Sequence, residues 1–155
     1  MYPESTLLGN ENALVVSFKP KWADKILSKE KTVELRRQFG KSINNDITVL
    51  IYASAPVSAI VGTVSLHSIS TDSIDKIWAK FNKQAGVSKR EFFEYFKGKD
   101  TATALVLQNP IRIKNISLSV LKERCNFRPP ISWRHLKELE KVIINKNLEI
   151  QYDEK

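Results

Sequence analysis

Apolar and β-branched residues fall in short runs separated by polar breaks. Ala13–Phe18 is one such run and predicts a strand. Pro20 ends it and suits the first turn of a helix. Trp22, Ile26 and Leu27 then recur at helical spacing, which predicts a short amphipathic helix over 20–29. From Lys31 to Arg37 the period drops to two. Thr32, Glu34 and Arg36 fall on one face, and Val33 and Leu35 on the other. A polar loop over 38–46 leads to a strand over 47–54, stopped by Pro56. A further strand spans 59–68, with Gly62 marking a bulge or a close approach.

The middle of the chain turns helical. Asp72 or Ser73 is placed to cap a helix through Ile77, Trp78 and Phe81, with Gly86 as its end. Ser88 and Glu91 form a capping box for a second helix carrying Phe92, Phe93, Tyr95 and Phe96, stopped by Gly98. Residues 101–108 predict a strand that Ile111–Ile113 continue past Pro110, and 116–121 fit either state. After the Pro129-Pro130 break, Ser132 is a candidate cap for a last helix carrying Trp133, Leu136, Leu139, Val142 and Ile143. Strands outnumber helices and several follow one another directly. The fold class expected is α+β, a mixed, largely antiparallel sheet or small β-barrel flanked by helices, rather than a doubly wound α/β fold. The boundaries expected are a lead-in over 1–12, one domain over 13–147 and a tail over 148–155.

At 155 residues and 42 % hydrophobic content, one core of ordinary size is affordable and disorder is not expected. No apolar run approaches the roughly 20 residues of a membrane span. The start lacks the basic-then-apolar pattern of a secretory signal. The single cysteine, Cys125, forms no internal disulfide and points to a reducing cytoplasm. With two histidines besides, no metal site is expected, nor any cofactor. The formal net charge of +8 is concentrated. Residues 18–41 hold eight basic and three acidic side chains; residues 76–99 hold seven and two. Two such segments on one small domain favour a polyanionic partner, nucleic acid above all.

Phosphate-loop, dinucleotide-loop, nucleophile-elbow and zinc-helix motifs are missing from the chain. Cys125 with His135 is better read as an ordinary thiol and a surface histidine than as a catalytic pair. The stretch that can carry chemistry is Lys31-Thr32-Val33-Glu34-Leu35-Arg36-Arg37. Its alternation sets a carboxylate and a guanidinium side by side, with an ammonium at the helix-to-strand corner. Facing a cavity, Glu34 would accept from and Arg36 donate to a nucleobase edge. Lys31 would act as a base if burial lowered its pKa. The competing reading is a solvated face with an ordinary ion pair.

The run Ser17-Phe18-Lys19-Pro20-Lys21-Trp22-Ala23, then Ile26-Leu27-Ser28, then Lys31 to Arg37, resembles the ASCH domain (activating signal cointegrator homology), a branch of the PUA-like β-barrels. Of the signature G-x-K-x-x-E-x-R, Lys31, Glu34 and Arg36 match. The glycine position is Lys29, a departure that suggests an altered turn before the strand. Further matches, similar to a bacterial ASCH subgroup, are residues 51–57, Ala59-Ile60-Val61-Gly62, Tyr95-Phe96-Lys97-Gly98 and residues 129–134. The resemblance implies a small barrel with a cleft beside the signature strand, in a family linked to RNA. One small ASCH type hydrolyses N4-acetylcytidine with a lysine, a threonine and a glutamate. Lys31 fits that lysine, but Glu34 stands at the threonine and Gln84-Ala85 near the glutamate, so that activity is not carried over. Other relatives are ribonucleases.

These readings converge on a binding module for nucleic acid, expected to be single-stranded RNA or a modified nucleotide. The ligand-binding candidates are Lys21, Lys31, Glu34, Arg36, Tyr52, Ser54, Trp133 and Arg134. Lys19, Arg37, Lys89 and Arg90 are candidates for phosphate contacts. Tyr52 and Ser54 enter because alternation puts both hydroxyls on one strand face. Trp133 and Arg134 enter as a base-stacking pair, against a reading of Trp133 as a core anchor. The alternative is an RNA-directed enzyme, a ribonuclease or modified-nucleoside hydrolase, with Lys31 and Glu34 as catalytic candidates. A protein adaptor displaying the aromatic helix 88–97 is a third possibility.

Overall fold

A computed structural model describes residues 8, 12–40, 43 and 46–153. The lead-in expected over 1–12 lies outside them, apart from residues 8 and 12. The elements run β1 (Ala13–Phe18), α1 (Pro20–Leu27), β2 (Val33–Arg36), β3 (Ile47–Ala53), β4 (Ala59–Ser73), α2 (Ile74–Phe81), α3 (Lys89–Tyr95), β5 (Thr101–Ser117), α4 (Leu118–Cys125), β6 (Trp133–His135) and α5 (Glu138–Asp153). No helix among the described residues is long and apolar enough to cross a membrane.

The six strands form one sheet in the order β2-β5-β4-β3-β1-β6. β1 pairs with β3 in parallel, and every other pairing is antiparallel. The mixed sheet expected from the sequence is present, but the barrel is corrected. No ladder joins the edge strands β2 and β6, so the sheet stays open. The long β4–β5 ladder carries three register shifts. Such bulges bend and coil a strand pair. Pro110 is tolerated inside β5 because it sits at one of these shifts, between the pairings of Gln108 and Ile111.

β1 and β3 are apolar on both faces because both faces are covered. Leu14, Val16 and Phe18 pack with Ile26 of α1 and Ile51 of β3. Val15, Leu50 and Tyr52 pack on the other side with Leu121, Phe127 and Ile144. A third cluster seats Val33 and Leu35 of β2 against Ile77, Phe81, Phe92 and Phe96. That packing fixes which face of β2 turns inward. Glu34 and Arg36, at the alternate positions, turn the other way.

Three sequence expectations shift. α2 stops at Phe81, not near Gly86, because the Asn82 amide donates to the Trp78 and Ala79 carbonyls and closes the helix end. The last helix begins at Glu138, not after Ser132. Residues 133–135 are drawn into the sheet, where β1 offers a free edge and Val16 pairs with Trp133. α5 then runs to Asp153, so the expected tail is mostly helix. Its buried apolar positions are Ile144 and Leu148, while Leu139 and Val142 are exposed. The Ser88–Glu91 capping box of α3 is present as expected.

Gly62 is the predicted close approach. A Cβ there would lie 2.7 Å from the Ile111 carbonyl oxygen and 2.5 Å from Leu27 Cδ2. The side chain can yield, but the β5 backbone cannot do so without disturbing the ladder. Gly62→Ala is expected to cost about 1–3 kcal/mol by overpacking. Chemical denaturation checks this, and unchanged stability would contradict the packing described.

Candidate functional site

The site begins at the end of α1. Lys29 takes a left-handed conformation (φ 69°), the geometry for which a glycine is usual after a helix. Lys29 thus holds a left-handed turn of the kind a glycine adopts without strain. The chain then docks on residues 84–86. The Gln84 carbonyl accepts from the Thr32 and Val33 amides at 3.0 and 3.1 Å. Gly86 has φ 67°, and a Cβ on it would press on Lys31 Cβ at 3.1 Å. This segment gives Lys31 a backbone carbonyl, that of Ala85, as hydrogen-bond acceptor.

Lys31, Glu34 and Arg36 form one buried cluster. Lys31 is 2 % exposed, and its Nζ lies 3.5 Å from Glu34 Oε1. Arg36 donates to Glu34 Oε2 through Nε at 3.0 Å and Nη2 at 2.8 Å. Glu34 Oε1 also accepts the Leu35 amide at 3.1 Å. Arg36 reaches across the open side of the sheet. Its Nη2 donates to the Ser17 carbonyl at 3.0 Å, and its Nη1 to Ser132 Oγ at 3.2 Å. Phe18 lies under the guanidinium at 5.1 Å. A side chain thus bridges from β2 to the strand end and loop beside β6, where no backbone ladder does.

A carboxylate offers about four acceptor sites, and Glu34 has four donors on it. It is saturated, so it is an anchor for two cations rather than a reader of a base edge. Lys31 uses two of its three protons, and Arg36 four of its five. One ammonium and one guanidinium hydrogen are left without a hydrogen-bond partner among the described residues, the ammonium standing 5.2 Å from the centre of the Trp22 ring. Two cations against one carboxylate leave the cluster net positive.

The cluster lines an open recess of about 970 Å³. Tyr52 and Ser54 line it too, so the strand alternation read from the sequence holds. Tyr52 is 4 % exposed, and its hydroxyl has no partner among the described residues. Lys19 and Arg37 complete the predicted residues found there. Lys21 stands beside it, 4.6 Å over the Trp22 ring and 3.9 Å from Glu91 Oε2. Lys89 and Arg90 are exposed on the first turn of α3 and do not line the recess.

Trp133 and Arg134 do not line it either. Trp133 packs on the core beside Phe39, with ring centroids 5.0 Å apart. Arg134 makes a two-pronged pair with buried Glu140 at 2.8 Å and donates to the Arg128 carbonyl. Both are drawn away because β6 joins the sheet. The Cys125 thiol donates to the Leu121 carbonyl, and burial, then the Glu140 charge, raises its pKa. Among the described residues no group of His, Cys, Asp or Glu is placed to hold a metal ion. Sequence reasoning missed Ser17 and Ile131 of the recess, and Ser132 except as a cap. The Pro129-Pro130 break was the available signal, but it was read as helix punctuation.

Residues 13–124 match the protein family described as a domain of unknown function, DUF365. An ASCH domain-containing ribonuclease from Zymomonas mobilis is 33 % identical over 132 residues, covering 83 % of this chain and 88 % of that protein. The chain belongs to the ASCH-domain family. The crystal structure of ASCH from Zymomonas mobilis superposes on this ASCH domain with a TM-score of 0.79 and 33 % identity, over 85 % of this chain and 94 % of that one. Human THYN1, solved with DNA containing 5-methylcytosine, shares the fold at a TM-score of 0.57 and 12 % identity, over 90 % of this chain and 98 % of that one.

Burial lowers the Lys31 pKa from its ordinary value near 10.5; the Glu34 charge and hydrogen bond oppose this without cancelling it. The unfolded chain then binds more protons than the folded one between the lowered value and 10.5. Stability from this group therefore rises with pH across that window. Wild-type stability measured relative to Lys31→Met is expected to increase from pH 8 toward 10. A flat or falling difference would contradict the burial. Glu34→Ala leaves two buried cations facing each other and is expected to cost about 3–5 kcal/mol in urea unfolding. A loss of only a few tenths would show that the cluster is solvated.

Proposed function

We propose that this ASCH domain binds single-stranded RNA and holds one nucleotide, ordinary or base-modified, in the recess beside Lys31, Glu34 and Arg36. The observation that carries the reading is the net-positive buried cluster with hydrogen-bond donors to spare, opening on a recess of ligand size. Small-molecule sites typically enclose roughly 300–1,000 Å³. A donor-rich, water-poor floor favours an oxyanion or a base carbonyl over a cation. Tyr52 and Ser54 add hydroxyls that either donate or accept. Lys19 and Arg37 would hold phosphates at the mouth, and Lys89 and Arg90 those further along the strand. The concentration of basic residues in the two segments that meet here, through Lys21 and Glu91, supports the same polyanion.

A second reading is cleavage of the bound RNA. It is favoured by the similarity to the Zymomonas mobilis ribonuclease. Here Lys31 and Arg36 would stabilise charge developing on a phosphodiester, with Glu34 fixing both cations in place. The lowered Lys31 pKa also suits it to proton transfer.

Binding of a random-sequence RNA heptamer is expected to weaken steeply with salt, by a log–log slope of about 0.7 per phosphate engaged. Tyr52→Phe removes one unpartnered hydroxyl and no packing. It is expected to weaken binding about tenfold with stability unchanged. Lys89→Ala should weaken all sequences alike, by a smaller factor. Undetectable binding at low salt would overturn the binding reading. Intact RNA after prolonged incubation with wild type would overturn the cleavage reading, and shortened RNA that Lys31→Met no longer produces would support it.

A further inference from the structure

Beside the first recess lies a second, of about 720 Å³. The two share Arg36, Arg37, Tyr95 and Ile131 in their linings, and Lys99 and Asp100 lie on the far side. The residue between them is unusual. Ile131 is 104 % exposed, more than any other large apolar side chain among the described residues. Apolar residues scattered singly over a surface are common. Ile131 is set apart by its position between the two recesses and by neighbours that are both tied down. The Pro130 carbonyl accepts from Ser17 Oγ at 2.6 Å. The Ser132 carbonyl accepts from the Ser17 amide at 2.9 Å, and Ser132 Oγ from Arg36 at 3.2 Å. Two prolines precede it and restrict the backbone further. The chain holds an isoleucine upright in water between two basic hollows.

The second hollow is equipped for a phosphate. The Arg37 guanidinium donates through Nε and Nη2 to the Tyr95 carbonyl at 3.0 and 2.9 Å and sits 4.3 Å over the Tyr95 ring. It is thereby set in position with three N–H donors still free among the described residues. Lys99 is exposed, and against these cations stands the single carboxylate of Asp100.

We propose that the second recess takes the neighbouring nucleotide of the same strand, with Arg37 and Lys99 on its phosphate and Ile131 wedged between the two bases. Apolar wedges of this kind separate stacked bases in other nucleic-acid complexes. The proposal rests on the reading of the first recess as a nucleotide site. It adds that the protein recognises a position within a strand rather than a free nucleoside.

Binding of the random-sequence heptamer and of mixed ribonucleoside 5′-monophosphates tests it on the full chain. Lys99→Ala and Arg37→Ala are each expected to weaken heptamer binding about five- to tenfold and to reduce the salt slope by about 0.7. Ile131→Ala should weaken the heptamer about tenfold with no change in slope, since it carries no charge. Lys99→Ala, which lies outside the first recess, should leave competition by the monophosphates unchanged. Lys99 and Ile131 make no structural contacts that folding needs, so their variants report binding even where Arg37→Ala loosens α3. Heptamer binding that Tyr52→Phe weakens but all three variants leave unchanged would overturn the second subsite alone. An equal loss for heptamer and monophosphates in Lys99→Ala would also overturn it, by placing the effect in the first recess. Failure of the wild type to bind the heptamer would overturn both readings.

Discussion

A carboxylate clamped between two buried cations holds this molecule's working parts in register. Glu34 cannot be buried alone, and neither can Lys31 or Arg36, because desolvation would cost each of them several kcal/mol. Together they satisfy one another. Their surplus is one positive charge and two unfilled donors, directed by packing rather than by solvent. A solvated ion pair would reorganise around any ligand. This one is set before a ligand arrives, which lowers the cost of binding an anion.

The same cluster links the fold to the site. The sheet stays open between β2 and β6. Arg36 reaches over that opening to Ser17 and Ser132, and Ser17 in turn fixes the loop that displays Ile131. The opening that a closed barrel would have sealed with backbone hydrogen bonds is bridged by a guanidinium. The aromatic helix α3 supports this arrangement from behind: Phe92 and Phe96 are buried under β2, and only Tyr95 turns outward to carry Arg37. That packing leaves little of the helix free to serve as an adaptor surface.

Much of this was legible in the chain. Period-two alternation over Lys31–Arg37 placed Glu34 and Arg36 on one face, and the same rule placed Tyr52 with Ser54. Gly62 announced a close approach because a glycine inside a strand has few other uses. What was not legible depended on distant partners. Residues 133–135 read as helix because their spacing fits one; the unpaired edge of β1 outweighed that local preference. The role of Glu34 was misjudged for a related reason. Spacing shows that a carboxylate and a guanidinium are adjacent, but not that Lys31 returns to fill the last acceptor sites. The left-handed turn at Lys29 shows tertiary context overriding residue preference, since a non-glycine residue there costs about 1–2 kcal/mol.

In the proposed complex the spare donors of the Lys31–Glu34–Arg36 cluster meet the RNA directly. Nitrogen-detected NMR of the Lys31 ammonium and the Arg36 guanidinium, with and without an RNA heptamer, tests it most directly. Both signals should shift and exchange more slowly with water in the complex. Unchanged signals at these two side chains, in a protein saturated with RNA, would contradict a direct contact.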